Sequence, residues 1–493
     1  MRIAIVDPGS GNLASVLRAL TRVAAEQGIA ADIHLTSDAT EAARADRLVL
    51  PGQGAFAACR RGLDAMPGMV AANAPSSPSS APESMRAAYR ASDAFDRYAD
   101  SRDVLAKGVT TMHLNPGWNR LVSGQGGVVR LGGDIESRVL RETSDLTINL
   151  GDGALNPNTV LKQLVPPSSD NAIEPAQPQR PTARLGQYLA LKEAIEAAMN
   201  PGNRGFDVHS AALAEAWRSN LPVRVQTQRA ADIAGAITFL SQQKKAGYIV
   251  GGAEAAIHAD ALAKAGVPLV YAISAAFDSP GANLGNNPNV TDADIGDLSR
   301  LTGLKLALAA GPGQPVTDLR LAAVMARRAG LPTQRIIEAI TRVPAELLGV
   351  SDKVGSLEVG KRADLVVLSG DPLSTSGQVE RVYVDGELAY SRASDRRYGA
   401  DASDASADAD AAPPMVVRAG TIWMGPNDWL ERGEILIENG KITAVGKKVA
   451  VPRGARVIDA GPDAFVTPGF IDAYGHLGMQ GDQSALAPEF TLA

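Results

Sequence analysis

Short apolar runs alternate with helical spacings through most of this chain. Arg2–Asp7 (RIAIVD) ends in the turn Pro8-Gly9-Ser10-Gly11-Asn12, after which Leu13, Val16, Leu17, Leu20 and Val23 recur at helical spacing. A second buried-type run, RLVLPG, covers Arg47–Gly52, so the opening residues predict a β-loop-α-β unit of an open α/β sheet. Residues 71–84 (AANAPSSPSSAPES) break the pattern and read as a linker.

From 85 to 345 the strand candidates are GVTTMHL (108–114), VRLGG (129–133), LTINLG (146–151), LPVRVQT (221–227), AGYIVGG (246–252), VPLVYAI (267–273) and LKLALAA (304–310). Helical stretches between them predict parallel pairing with right-handed crossovers. Repeated this often, the simplest closed arrangement is a TIM-like (β/α)8 barrel. Residues 152–184 are rich in Pro and Asn and read as a surface insertion. Residues 346–392 turn to strand-and-turn chemistry, with Asp385-Gly386 as a hairpin signal; residues 415–466 do the same around Asn439-Gly440. Between them, 393–414 (ASDRRYGADASDASADADAAPP) is acidic, of low complexity, and reads as a disordered linker.

The expected class is therefore α/β: a TIM-like barrel with a small β-sandwich formed by 346–390 and 415–466, plus a partial Rossmann-like α/β fragment over 1–70. Residues 415–493 supply sandwich strands and one barrel strand. They either complete the 85–390 barrel in cis or belong to a second module, and the sequence leaves both open.

Composition narrows the chemistry. With 493 residues, the chain has room for two or three domains, or one large barrel with additions. Hydrophobic residues at 45% and charged residues at 21% are ordinary for a soluble globular protein. A net charge of −6 argues against nucleic acid or an anionic membrane as partner. The lone cysteine, Cys59, excludes an internal disulfide framework and a cysteine-based zinc cluster. No apolar run reaches the ~18 residues of a membrane span, and no secretory signal is evident, so a cytoplasmic location is expected.

Residues 3–20 (IAIVDPGSGNLASVLRAL) and 36–56 (TSDATEAARADRLVLPGQGAF) resemble the glutamine amidotransferase subunit of imidazole glycerol phosphate synthase, an enzyme of histidine biosynthesis. The resemblance implies an oxyanion loop at Gly52, Gln53 and Gly54, whose backbone N–H groups would stabilise a tetrahedral intermediate. It also implies a nucleophilic cysteine on a later strand-to-helix elbow, where this chain has linker sequence instead. Cys59, five residues past Gly54, reads as a small helix residue. A cyclase subunit of histidine biosynthesis is a partner only if this head is functional.

Residues 355–373 (GSLEVGKRADLVVLSGDPL) and 379–390 (VERVYVDGELAY) resemble the closing strands of metal-dependent amidohydrolases of the imidazolonepropionase-like branch. Residues 434–478, from EILIENGKITAVG through TPGFIDAYGHLG, resemble the opening strands of the same family, so the order over 85–493 is permuted or tandem. The resemblance implies hydrolysis of cyclic amides and related non-peptide C–N bonds by a metal, usually zinc. It implies ligands from His-x-His on strand 1, single histidines on strands 5 and 6, and an aspartate on strand 8. Those positions here carry Tyr474 and His476, Gln226, Gly252 and Gly311. Only His476 matches, which predicts a degenerate metal site with little or no activity. The residues themselves identify no cofactor and no catalytic residue.

His113, at the end of GVTTMHL, and Asp472 are candidate pocket residues. His34, His209 and His258 read as surface or satisfied histidines, and GQGG (124–127) and GPGQP (311–315) as barrel loops. The leading expectation is an amidohydrolase-type barrel acting as a non-catalytic binding or scaffold module. The alternatives are a hydrolase using a rearranged site around His113 and His476, an amidotransferase subunit, and a chimeric reading frame. A small-molecule substrate is implied if the chain is active, and a homo-oligomer is compatible with the sequence.

Overall fold

Three short strands, β1 (Arg2–Val6), β2 (Asp32–Thr36) and β3 (Arg47–Val49), pair in parallel in the order β2-β1-β3. Parallel neighbours need a crossover, and helix Leu13–Glu26 supplies the first one. Ala4, Ile5 and Val6 are buried, but Val23, on the expected apolar stripe of the helix, is exposed. These elements belong to a compact unit formed by Met1–Ala81 with Gly202–Asp207; a second unit comprises Pro82–Pro201 and Val208–Ala493. This computed structural model describes residues 2–6, 13–26, 30–37, 45, 47–49, 84–117, 120–151, 154, 181, 183–202, 207–272, 303–310, 319–374, 377–395, 413–425 and 428–475.

In the second unit the strands are, in chain order, β4 (Val109–Leu114), β5 (Val122–Arg130), β6 (Val139–Asn149), β7 (Val223–Thr227), β8 (Gly247–Gly251), β9 (Leu269–Ala272) and β10 (Leu306–Ala309). They continue with β11 (Leu365–Leu368), β12 (Val379–Val384), β13 (Glu387–Ser391), β14 (Met415–Gly425), β15 (Asp428–Glu438), β16 (Lys441–Gly446), β17 (Arg456–Asp459), β18 (Phe465–Pro468) and β19 (Phe470–Gly475).

One eight-stranded ladder runs β10-β9-β8-β7-β6-β5-β4-β19. Its two end strands, β10 and β19, lie against each other. Side chains alternate between the faces of such a wall. Val223, Val225, Ile249, Leu269, Leu306 and Leu308 face an outer core shared with helices Arg184–Met199, Val208–Arg218 and Ala230–Gln243. Tyr248, Val250, Val270, Ala307 and Ala309 point to the opposite face and belong to a separate cluster with Tyr474.

The expectation of parallel pairing throughout is corrected at one place. β4, β5 and β6 pair antiparallel, while the remaining ladders of this sheet are parallel. The links 115–121 and 131–138 are shorter than the dozen or so residues a parallel crossover needs. Residues 124–127, read from sequence as a loop, lie inside β5.

The second sheet runs β13-β12-β11-β18-β14-β15-β16, with β17 beside β14. Asp385-Gly386 and Asn439-Gly440 both adopt positive φ at both residues, as two-residue hairpins of matching twist require. Leu365, Val367, Tyr383, Val417, Ile435, Ile437, Ile442 and Val466 share one core, so strands from both sides of 396–412 build it together. β18 pairs antiparallel with β11 and parallel with β14, and β19 then enters the barrel wall beside β4. Gly469 makes this passage: a Cβ there would sit 2.0 Å from Thr110 Oγ1. Residues 415–475 thus supply β19 to the barrel wall in cis.

A buried ion network ties the two sheets together. Arg130, at the end of β5, is fully buried and donates from Nε and Nη2 to the two Asp364 oxygens at 3.1 and 2.9 Å. Its Nη1 donates to Asp385 Oδ2 at 2.7 Å, and Arg362 Nη1 joins the same carboxylate at 2.9 Å. Among the described residues, no helix is long and apolar enough to cross a membrane.

Candidate functional site

Alternation along β4, β6, β7 and β8 sends a set of polar side chains to one side of the wall. Burial makes each demand a partner. Asp145 on β6 is the first hub. Its Oδ2 accepts from His113 Nε2 at 2.7 Å, Ser144 Oγ at 2.6 Å and Tyr248 Oη at 3.1 Å, and its Oδ1 accepts from Thr147 Oγ1 at 3.1 Å. His113 and Asp145 are both wholly buried. Burial opposes charge on Asp145, but His113, Arg224 and the Ser144 hydroxyl outweigh it and hold the carboxyl well below the usual carboxylate range. Burial lowers the His113 imidazole, with Asp145 pulling the other way. Nε2 faces the Asp145 carboxylate and carries a proton, while Nδ1 is buried with no hydrogen-bond partner.

This pair forms across β5, because β5 lies between β4 and β6. Gly126 allows it: a Cβ there would sit 2.3 Å from His113 Nε2 and 2.8 Å from each Asp145 oxygen. The glycine run in β5 is therefore a passage for two side chains.

Arg224 on β7 is the second hub and is fully buried. Its Nη1 donates to Asn115 Oδ1 at 3.2 Å and, more weakly, to Gln226 Oε1 at 3.4 Å. Gln226 Nε2 donates to Tyr474 Oη at 2.7 Å, and the Arg224 guanidinium carbon lies 4.9 Å from the centre of the Tyr474 ring. Burial, only partly offset by Arg224 and Gln226, pushes the Tyr474 phenol up to about 12. The guanidinium remains charged, yet its direct partners are neutral amides.

Asp472 closes the cluster. Its Oδ1 accepts from the Tyr474 N–H at 3.0 Å, while Oδ2 is buried without a partner. Burial raises its carboxyl to about 7, against the N–H groups of Tyr474 and Ala310 and the charge of Arg224. The native state then binds more protons than the unfolded chain between the ordinary value of 3.8 and about 7. The stabilisation is complete below that window, is lost as pH rises through it, and is absent above about 7. Asp472→Asn is expected to remove this loss, on the order of 3 kcal/mol. Urea unfolding of both proteins at pH 5 and pH 8 checks it.

Of the positions expected to hold metal, Gln226 and Tyr474 meet and bond to each other, and Gly252 follows β8 without a side chain. His476, Gly311, the loop Gly52, Gln53 and Gly54, Cys59 and GPGQP lie outside the described residues. The two candidate pocket residues, His113 and Asp472, are both buried and share Arg224 as an electrostatic neighbour. His209 is satisfied elsewhere, accepting from the Ala88 N–H and standing edge-on to Tyr89.

Zinc, which the family resemblance implies, does not fit the described part of this cluster. At the family's ligand positions the described side chains are the Gln226 amide and the Tyr474 phenol, bonded to each other, with the Arg224 guanidinium against the phenol ring. Among the described residues, no three His, Cys, Asp or Glu side chains gather with metal-binding geometry. The sequence reading did not single out Arg224, Asp145, Asn115 and Tyr248. The signal available for Arg224 was a charged residue inside the otherwise β-branched run VRVQT. A cavity of about 440 Å³ beside the Asp385-Gly386 and Asn439-Gly440 turns shares no residue with the cluster.

Residues 244–389 match the sequence model of the Amidohydrolase family. Among solved structures, the amidohydrolase from Thermotoga maritima MSB8 superimposes with a TM-score of 0.53 at 24% identity, covering 63% of this chain and 80% of that one, which shows the fold. The N-terminal stretch is similar to imidazole glycerol phosphate synthase subunit HisH. It is 64% identical over 72 residues to the protein of Brucella suis biovar 1 (strain 1330), and 56% identical over 72 residues to that of Rhodospirillum rubrum. These matches cover 15% of this chain, and the chain spans about a third of the length of those relatives. Two similarities thus divide the chain: an N-terminal stretch of about 72 residues like HisH subunits, and a barrel of amidohydrolase fold whose residues 244–389 match that family.

Proposed function

We propose that the barrel binds a small molecule and does not carry out metal-assisted hydrolysis. The observation that supports this most is the Gln226–Tyr474 hydrogen bond of 2.7 Å beneath the Arg224 guanidinium. Two positions that the family uses for metal ligands are engaged with each other, beside a fixed positive charge that repels a dication. Around Arg224, Asn115, Gln226 and Tyr474 are tied together by hydrogen bonds and ring contact, as the supporting side chains of a ligand site must be.

The test is turnover of a panel of cyclic amides and N-acyl amino acids by the full chain, with and without added zinc. Rates indistinguishable from the uncatalysed reaction are expected in both conditions. Zinc-dependent turnover that disappears in His476→Ala would overturn the proposal.

The 64% identity to HisH over 72 residues favours a second reading, an amidotransferase subunit of histidine biosynthesis working with a cyclase partner. Cys59 is the sole cysteine, and it does not lie at the distance from the Gly52–Gly54 loop that the nucleophile requires. Release of ammonia from glutamine is therefore not expected.

A further inference from the structure

The buried guanidinium of Arg224 is only half used. Nη1 serves the oxygens of Asn115 and Gln226, while Nε and Nη2 are buried and have no hydrogen-bond partner. In a guanidinium, Nε–H and the adjacent Nη2–H point the same way and form the fork that grips a carboxylate with two parallel bonds. Arg130 of the same wall shows what that fork does here, since its Nε and Nη2 hold the two oxygens of Asp364 while its Nη1 turns to Asp385. Arg224 repeats the arrangement with the carboxylate missing.

Among the described residues, no acid fills the place. Asp145 is committed to His113, Ser144, Thr147 and Tyr248, and neither Asp145 nor Asp472 comes within ion-pair or hydrogen-bond distance of Arg224. A charged fork left unsatisfied in the interior is costly, so an anion able to bond both N–H groups gains more there than in water. The ladder that holds Arg224 also brings small side chains, Val250, Val270, Ala307 and Ala309, to the face that carries Tyr474.

We infer that the Nε/Nη2 fork of Arg224 is the anchor for the carboxylate of a small organic ligand, bound two-pronged inside the barrel. The inference rests on the metal-free reading of the barrel and adds the chemical class of its ligand. Asn115 and Gln226 act as positioning residues, because their amide oxygens hold Nη1 and so fix the direction of the fork.

Formate, the smallest planar carboxylate, is the probe, with neutral formamide as control. The full chain is titrated at constant ionic strength while its Tm is recorded, once as purified and once with EDTA. A saturable rise in Tm with formate and none with formamide is expected, unchanged by EDTA. In Arg224→Met the formate response is expected to vanish. In Arg224→Lys, which keeps the charge and loses the fork, half-saturation is expected to move up by about tenfold or more. The lysine variant decides the matter if the methionine variant does not melt cooperatively.

No saturable response to formate in the wild-type chain, or the same half-saturation in Arg224→Lys, overturns the inference and leaves the metal-free reading standing. A formate response that EDTA abolishes would place the anion on a metal and overturn both.

Discussion

Replacing Arg130 with Met is expected to lower the unfolding free energy by about 3–5 kcal/mol, the cost of removing one partner from a buried ion network. The guanidinium holds Asp364, which is almost fully buried, by two bonds and Asp385 by a third. Met fills much of the space but leaves Asp364 with the Asp385 N–H as its remaining donor within hydrogen-bond distance. The effect should be large because these contacts link β5 of the barrel to the β11 and β12 region of the second sheet. The midpoint of urea unfolding reports it. The double variant Arg130→Met with Asp364→Leu is expected to recover part of the loss, since removing both charges removes the uncompensated one.

Gly126→Ala should be nearly as damaging, although it adds a single methyl group. Its Cβ would enter the 2.7 Å gap between His113 and Asp145, approaching Nε2 to 2.3 Å. Either the strand or the imidazole must move, and Asp145 loses its ring donor. Overpacking and the lost charge-assisted bond together are expected to cost about 3 kcal/mol or more. Combining Gly126→Ala with His113→Ala makes room for the methyl group, so the double variant should be less destabilised than the sum of the two single changes. A urea-denaturation double-mutant cycle measures that coupling. A strictly additive result would mean that the glycine serves only β5 itself.

These two positions also show how far the sequence could be read. The barrel was legible because apolar runs spaced by helical stretches admit few topologies, and the two hairpins were legible because Asp385-Gly386 and Asn439-Gly440 supply the positive φ that such turns need. The β5–β6 hairpin was not. Glycines at 124, 126 and 127 look like a loop by propensity; the approach of His113 and Asp145 across Gly126 and of the Tyr89 carbonyl to Gly124 accounts for two of them in a strand.

The site was half legible. Comparing ligand positions located Tyr474 and Gln226, and the structure joins them. Arg224, two residues before Gln226, corresponds to none of those ligand positions, yet its guanidinium lies beside both side chains. The sequence marks His113 only as a candidate pocket residue at the end of a strand. It is wholly buried against Asp145, a pairing between residues 32 apart in the chain that no local pattern marks.

A buried guanidinium lies beside two positions that the family resemblance assigns to metal ligands, Gln226 and Tyr474. Zinc content tests this most directly: the full chain is equilibrated with zinc, cleared of loosely held ions and measured for metal per chain. Zinc far below one ion per chain, unchanged in His476→Ala, is the expected result. Close to one zinc per chain, lost in His476→Ala, would contradict it and return the barrel to metal-dependent hydrolysis.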